Sequence, residues 1–478
     1  MQTGIHNANP SQSSTGALHR AYVWWIALVA ALGGLLFGYD WVVIGGAKPF
    51  YEAYFHLSSA NLIGWANSCA LIGCLVGALI AGEAGRRFGR KKVLLLSALV
   101  FAVSSLCTGW ASVFAAFIVW RITGGVAIGL ASNISPLYIA EVSPAAWRGR
   151  LVSLNQLAIV IGILAAQIAN WLIAQKVPTG AMVLAQSWNA QYGWRWMFTA
   201  VAAPAILFFL LALAIPESPR WLAGRMRPRE AEQVLARIGG EAYAAAELAA
   251  IEDALYAATA SRAGWADLFN GPVRKLVWVG IALAALQQWS GINILFNYAE
   301  EIYKSAGYGV SGIMFNIVIT GAINLIFTVV AMTFVDRLGR RKLMLLGCAG
   351  VGLCHLGASL AYHAGWHGSA VLLLTLAAIA CYSMTLAPVT WVLISEIFPN
   401  RLRSLGVSTA VAALWAASFG LTYTFPFLDR EFSTSGAFLV YAAVCFLGFV
   451  FVAKFVPETR GKTLEEIESE AMRSTSGN

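Results

Sequence analysis

The chain has 478 residues, 59% of them hydrophobic and only 12% charged, with a mean hydropathy of +0.69. Soluble domains lie near half apolar and a quarter charged, so this composition excludes a soluble globular protein and marks a polytopic membrane protein. The net charge of +9 does not point to nucleic acid, because the basic residues cluster between apolar runs, where they act as topology signals.

The first residues, "MQTGIHNANPSQSSTGALHR", are polar and carry no apolar core of a cleaved leader, so the first apolar run is expected to remain as an anchor. A membrane helix needs about 20 mostly apolar residues. Twelve such runs are read in chain order: 22–47, 59–82, 93–111, 113–140, 151–174, 195–215, 273–299, 311–335, 343–362, 368–396, 404–427 and 433–456. Most Lys and Arg residues fall on one side of these spans, leaving Lys48, Lys176, Arg195, Lys304 and Arg430 on the other and Arg121 inside the fourth. That bias predicts cytoplasmic termini. The sole N-x-S/T sequon, Asn133-Ile134-Ser135, lies within a span, which fits a bacterial inner (plasma) membrane protein.

The polar stretch 216–272 reads as short amphipathic helices broken at Gly239-Gly240. The expected layout is a tail over 1–20, a six-helix bundle over 21–215, a cytoplasmic helical linker over 216–272, a second six-helix bundle over 273–456 and a tail over 457–478. The seven cysteines all lie in apolar runs and read as small core residues. The six histidines form no metal motif, and no nucleophile elbow is present, so neither a metal, a cofactor nor an enzyme is expected.

The two halves repeat each other. "RFGRKK" (Arg87–Lys92) answers "RLGRRK" (Arg337–Lys342), "EVSPAAWRGR" (Glu141–Arg150) answers "EIFPNRLRSL" (Glu396–Leu405), and "PESPRWL" (Pro216–Leu222) answers "PETRGKTLEE" (Pro457–Glu466). Repeated membrane halves are a mark of secondary transporters, with the substrate held between them. The matched clusters hold Arg87, Arg90, Glu141, Arg148, Glu217, Arg337, Arg340, Glu396, Arg403 and Glu458. They read either as topology signals or as a cytoplasmic gate of salt bridges made in one conformation and broken in the other. Topology needs Lys and Arg but has no use for matched glutamates, which favours the gate.

Asp40 is the one acid well inside a span, and Arg121 the one internal base. At 1.5 Å per residue both lie roughly 12–14 Å below the outer surface, so each is the other's expected partner. The pair reads as a proton switch or as a static structural ion pair. Gln287, Gln288 and Asn293 stand within two turns of one apolar helix, where amides serve either to bind a polar ligand or to join helices.

"FGYD", the "R-x-GR[RK]" loops, "PESPRWL", "QQWSGIN", "W…SEIFPNR.R" and "PETRGKTLEEIE" together resemble, over nearly the full length, the sugar porter family of the major facilitator superfamily. The pattern is nearest its bacterial xylose and hexose proton symporters. The resemblance implies an all-α membrane protein of twelve transmembrane helices in two six-helix bundles (the major facilitator fold). It implies import of a neutral monosaccharide with protons by alternating access, the alternatives being an uncoupled facilitator or a transporter-like sensor. It places Phe37, Gln156, Gln287, Gln288, Asn293, Asn297, Asn324, Trp391 and Trp415 around the sugar, and Asp40 with Arg121 as the proton-coupling pair. Expected partners are sugar, protons and the lipid bilayer, with no nucleic acid, in a monomer. The chain departs from the family at Arg86, Asn297, Ala387 and Leu414, and the last three alter what lines the pocket.

Overall fold

The computed structural model describes residues 18–176, 181–260, 265–269, 273–366, 368–399 and 402–458. Among the described residues eleven helices are long and apolar enough to cross a bilayer, and the last of them divides at Ser433 into two, giving twelve spans in order. The first half holds α1 (Arg20–Tyr54), α2 (Ala60–Phe88), α3 (Arg90–Gly109), α4 (Phe114–Val142), α5 (Arg148–Ile173) and α6 (Asn189–Ala214). The second holds α7 (Val273–Asn297), α8 (Val310–Leu338), α9 (Arg340–His363), α10 (Ser369–Glu396), and α11 and α12, the two parts of Arg403–Phe455 divided at Ser433, whose φ is 62°. A linker helix over Pro228–Ala260 loses helical geometry at Gly239 and Gly240, where the sequence reading places its break.

In hydrocarbon a helix satisfies every backbone polar group within itself, which is why the apolar runs all become helices. The helices overrun the runs: α1 continues to Tyr54 and α2 to Phe88. Hydropathy marks only the hydrocarbon crossing, whereas a helix ends where its chain is capped or turned. Spans seven and ten, read from the sequence as single runs, are each broken: α7 after Trp289, with Gly291 at φ 85°, and α10 at Thr385.

Within the first half, α2 meets α4 and α1 meets α5 at backbone distance, small residues facing carbonyls, as close helix packing without a hydrophobic driving force requires. Between the halves, contacts gather toward the end of the bundle away from the basic clusters. Trp41 meets Phe296, Trp65 meets Phe419 and Trp171 meets Phe315. Tyr423 donates to Asn61 at 2.8 Å, and Arg430 donates to the Ser58 carbonyl. The face opposite the basic one is therefore closed.

Candidate functional site

Asp40 on α1 and Arg121 on α4 meet as their shared depth predicts: the Arg121 Nη1–H donates to Asp40 Oδ1 at 2.6 Å. Both are buried, and the guanidinium also lies 5.3 Å from the Phe198 ring. Two opposite charges in a low-dielectric interior hold each other, and removing either leaves the other uncompensated.

In the second half, α7 carries a run of amides, of which Asn297 lines the same small cavity as this pair. The break at Ser290-Gly291 swings the second part of α7 so that Gln287, Gln288, Asn293 and Asn297 are all buried among the helices. Gln288 Nε2 donates to Gln287 Oε1 at 2.7 Å, Asn293 Nδ2 donates to Gln288 Oε1, and also to Ser418 Oγ on α11 at 3.1 Å. Each amide carries both a donor and an acceptor, which suits a ligand that alternates the two around its edge. Asn324 on α8 is buried and accepts from Ser383 at 2.6 Å. Phe37 and Trp415 touch edge to face, with centroids 5.6 Å apart, joining α1 to α11. Gln156 on α5 is half-buried, and Trp391 on α10 is 37% exposed, so these two stand apart from the buried cluster.

The break in α7 is held from outside. A helix that stops leaves carbonyls without partners. His355 Nε2–H donates to the Ser290 carbonyl at 2.8 Å, and Cys445 Sγ reaches the same oxygen at 3.7 Å. Trp289 Nε1 donates to the Ala417 carbonyl at 3.1 Å.

The basic-face clusters are built alike in each half. Arg90 grips Glu141 through two hydrogen bonds of 2.8 Å, and Arg340 reaches Glu396 at 3.4 Å. Glu217 accepts from the backbone N–H groups of Arg90 and Lys91 at 2.9 and 3.1 Å; Glu458 accepts from those of Arg340 and Arg341 at 2.9 and 3.2 Å. Each carboxylate thus caps the positive end of a helix. Gly89 (φ 95°) and Gly339 (φ 88°) make room, since a Cβ at either would strike the capping carboxylate. These ion pairs lie within one half each.

The other expected gate residues sit elsewhere. Arg87 is exposed over the Phe88 ring, Arg148 donates to the Ala140 carbonyl, and Arg403 reaches the Phe398 carbonyl at 3.5 Å. The side chain of Arg337 lies outside the described residues. Arg86 pairs with Glu83 at 2.6 Å on the exposed surface of α2.

One charged cluster escapes a topology count. Lys48, assigned from its sequence position to the outer side, is 1% exposed within α1. It pairs with Glu52 at 3.0 Å, stands 4.0 Å from Glu300, contacts Glu301, and lies 5.3 Å from the Tyr298 ring. The Lys48/Glu52 spacing of four residues is the available sequence signal.

The chain matches the sugar (and other) transporter family over residues 26–471. It is 37% identical over 480 residues to the D-xylose-proton symporter of Escherichia coli strain K12, covering 94% of this chain and 96% of that one. It is 37% identical over 461 residues to the arabinose-proton symporter of Bacillus subtilis strain 168, covering 96% and 97%. Among solved structures, the inward open conformation of the xylose transporter XylE from E. coli superposes with a TM-score of 0.83 at 36% identity, covering 94% of this chain and all but 1% of that one (99%).

Proposed function

The chain belongs to the sugar transporter family, and from that premise we propose that it is a secondary active transporter importing a neutral monosaccharide, pentose or hexose, by proton symport. The observation that carries this reading is the buried Asp40–Arg121 pair at 2.6 Å in one half together with a buried run of amides in the other. An acid that can lose or gain a proton, and a neutral hydrogen-bonding surface, lie in opposite halves of one closed interface. Gln287, Gln288, Asn293, Asn297 and Asn324 supply the polar edges a sugar needs, and Phe37 and Trp415 cover its C–H surface. Gln156 and Trp391 complete the pocket in another conformation.

The basic face is cytoplasmic by the positive-inside bias, with both termini there, in a bacterial inner membrane and as a monomer within lipid. The closed face is then the outer one, and the arrangement is inward-facing. The Arg90–Glu141 and Arg340–Glu396 pairs, with Glu217 and Glu458, stiffen each half's cytoplasmic end so that it moves as one body.

Proteoliposomes given an inward proton gradient and a radiolabelled monosaccharide panel test this. Wild type is expected to accumulate sugar, and Asp40→Asn to lose accumulation while keeping sugar counterflow. Accumulation by Asp40→Asn overturns the coupling role of Asp40, and a wild type that only equilibrates sugar is a facilitator.

A further inference from the structure

Beside the Asp40–Arg121 pair lies a cavity of about 20 Å³, lined among others by Asp40, Asn67, Arg121, Asn297 and Trp415. It is far too small for a sugar and large enough for a water molecule. All five of these residues are at most 5% exposed. Four of them carry a buried polar atom with no hydrogen-bond partner: Arg121 Nε, Trp415 Nε1, Asn67 Oδ1 and Asn297 Oδ1. Asn67 has already spent its amide N–H on the Ile63 carbonyl, at 3.0 Å, so its oxygen is left over.

Leaving four such groups unmet in the interior is costly, and the residues that carry them all line one small cavity, which asks for an occupant. The set is two N–H donors and two carbonyl acceptors. One water accepts two hydrogen bonds and donates two. A metal cation would be repelled by the guanidinium and by the indole N–H, and an anion by the carboxylate and both amide oxygens. Two of the four groups belong to the first half (Asn67, Arg121) and two to the second (Asn297, Trp415). Asn297 is also where this chain departs from the sugar porter pattern, an amide standing in place of a tyrosine ring.

We propose that this cavity is a water site bridging the Asp40–Arg121 pair to Asn297 and Trp415, and that it is the route by which a proton reaches Asp40. The inference rests on the symport reading above. When the closed face opens, α7 and α11 leave α1 and α2, and the site joins the outer aqueous phase. Asn297 leaves with α7, the water hydrogen it held turns to Asp40, and proton transfer forms an O–H bond on the Asp40 carboxylate and breaks one on the bound water, which regains its proton from bulk hydronium. Neutral Asp40 releases Arg121. When the halves close again, the site is sealed and the proton is held while sugar is carried.

A structure of the full chain in this closed arrangement, at a resolution that shows ordered solvent, is expected to contain a solvent peak within hydrogen-bond distance of these four atoms. A dry cavity overturns the proposal. Asn67→Leu removes one acceptor while keeping the same number and branching of side-chain heavy atoms, and it touches none of the sugar-facing amides. In proteoliposomes it is expected to slow proton-driven accumulation about tenfold while sugar counterflow stays within about twofold. Equal losses in both assays, or no loss in either, overturn the water route. Wild type failing to accumulate sugar at all overturns the symport reading instead, so the two failures are separable.

Discussion

Lys48 on α1 and Glu301 just beyond α7 form an ion pair that ties the two halves together at the closed face. Lys48 is buried among three carboxylates, Glu52, Glu300 and Glu301, so its removal leaves an acidic cluster with no cation at its centre. Breaking a buried pair this way costs about 3–5 kcal/mol, close to the ~5.5 kcal/mol that carries a two-state equilibrium from 1:99 to 99:1. Lys48→Met is therefore expected to open this face. Spin-label distances between the ends of α2 and α11 near Asn61 and Tyr423 should lengthen, and replacing Lys48 and Glu301 together by Met should return part of the short-distance population. An unchanged distribution in Lys48→Met means the cluster does not hold the face shut.

The carboxylate caps on the basic face predict a stability effect in each half. Glu217→Ala uncovers the two N–H groups of Arg90 and Lys91, and Glu458→Ala those of Arg340 and Arg341. Each is expected to cost about 1–2 kcal/mol, and the two should add because the caps share no partner. Gly89→Ala should cost more than Glu217→Ala, since it strains the backbone at φ 95° and also drives a Cβ into the same carboxylate. Thermal unfolding of the purified protein in detergent gives the order directly.

The spans were legible because a bilayer leaves a chain no cheaper option than long apolar helices. Asp40 and Arg121 were legible for a related reason: two lone charges at one depth in hydrocarbon have only each other. The breaks in α7 and α10 were not. Residues 273–297 pass as one apolar run even with Gln287, Gln288, Ser290 and Gly291 inside it, and what holds the break is His355, distant in sequence, meeting the Ser290 carbonyl. Lys48 was hidden because counting basic residues by side treats every lysine near a span end as a loop residue. The cavity beside Asp40 was also illegible, since nothing in the sequence tells which atoms of Asn67 and Trp415 go without partners.

His355 yields a prediction of its own. With the imidazole replaced in His355→Leu, the Ser290 carbonyl keeps only the long thiol contact, and the turn at Gly291 loses its main support. Gln288 and Asn293 stand on either side of that turn, so their mutual geometry should loosen. Sugar affinity is expected to fall about tenfold, the equivalent of one unmet buried carbonyl. His355→Gln keeps a donor of similar reach and is expected to recover most of it. Equilibrium sugar binding to both variants provides the comparison, and equal affinities would leave His355 with a packing role alone.

Gln288 is the centre of the amide run, donating to Gln287 and accepting from Asn293. Gln288→Leu fits the same space but leaves the Gln287 oxygen without its donor and the Asn293 amide with Ser418 alone. A site built to hydrogen-bond hydroxyls then has polar edges that nothing answers, which penalises binding more than the loss of one bond. Sugar binding should weaken by tenfold or more, roughly 1.4 kcal/mol per decade. The Asp40–Arg121 pair lies in the other half and is not disturbed. Spin-label distances across the closed face should therefore stay as in wild type, in contrast to Lys48→Met. Weak binding with an unchanged distance distribution assigns Gln288 to the sugar and Lys48 to the gate; weak binding with an opened face assigns both to helix packing.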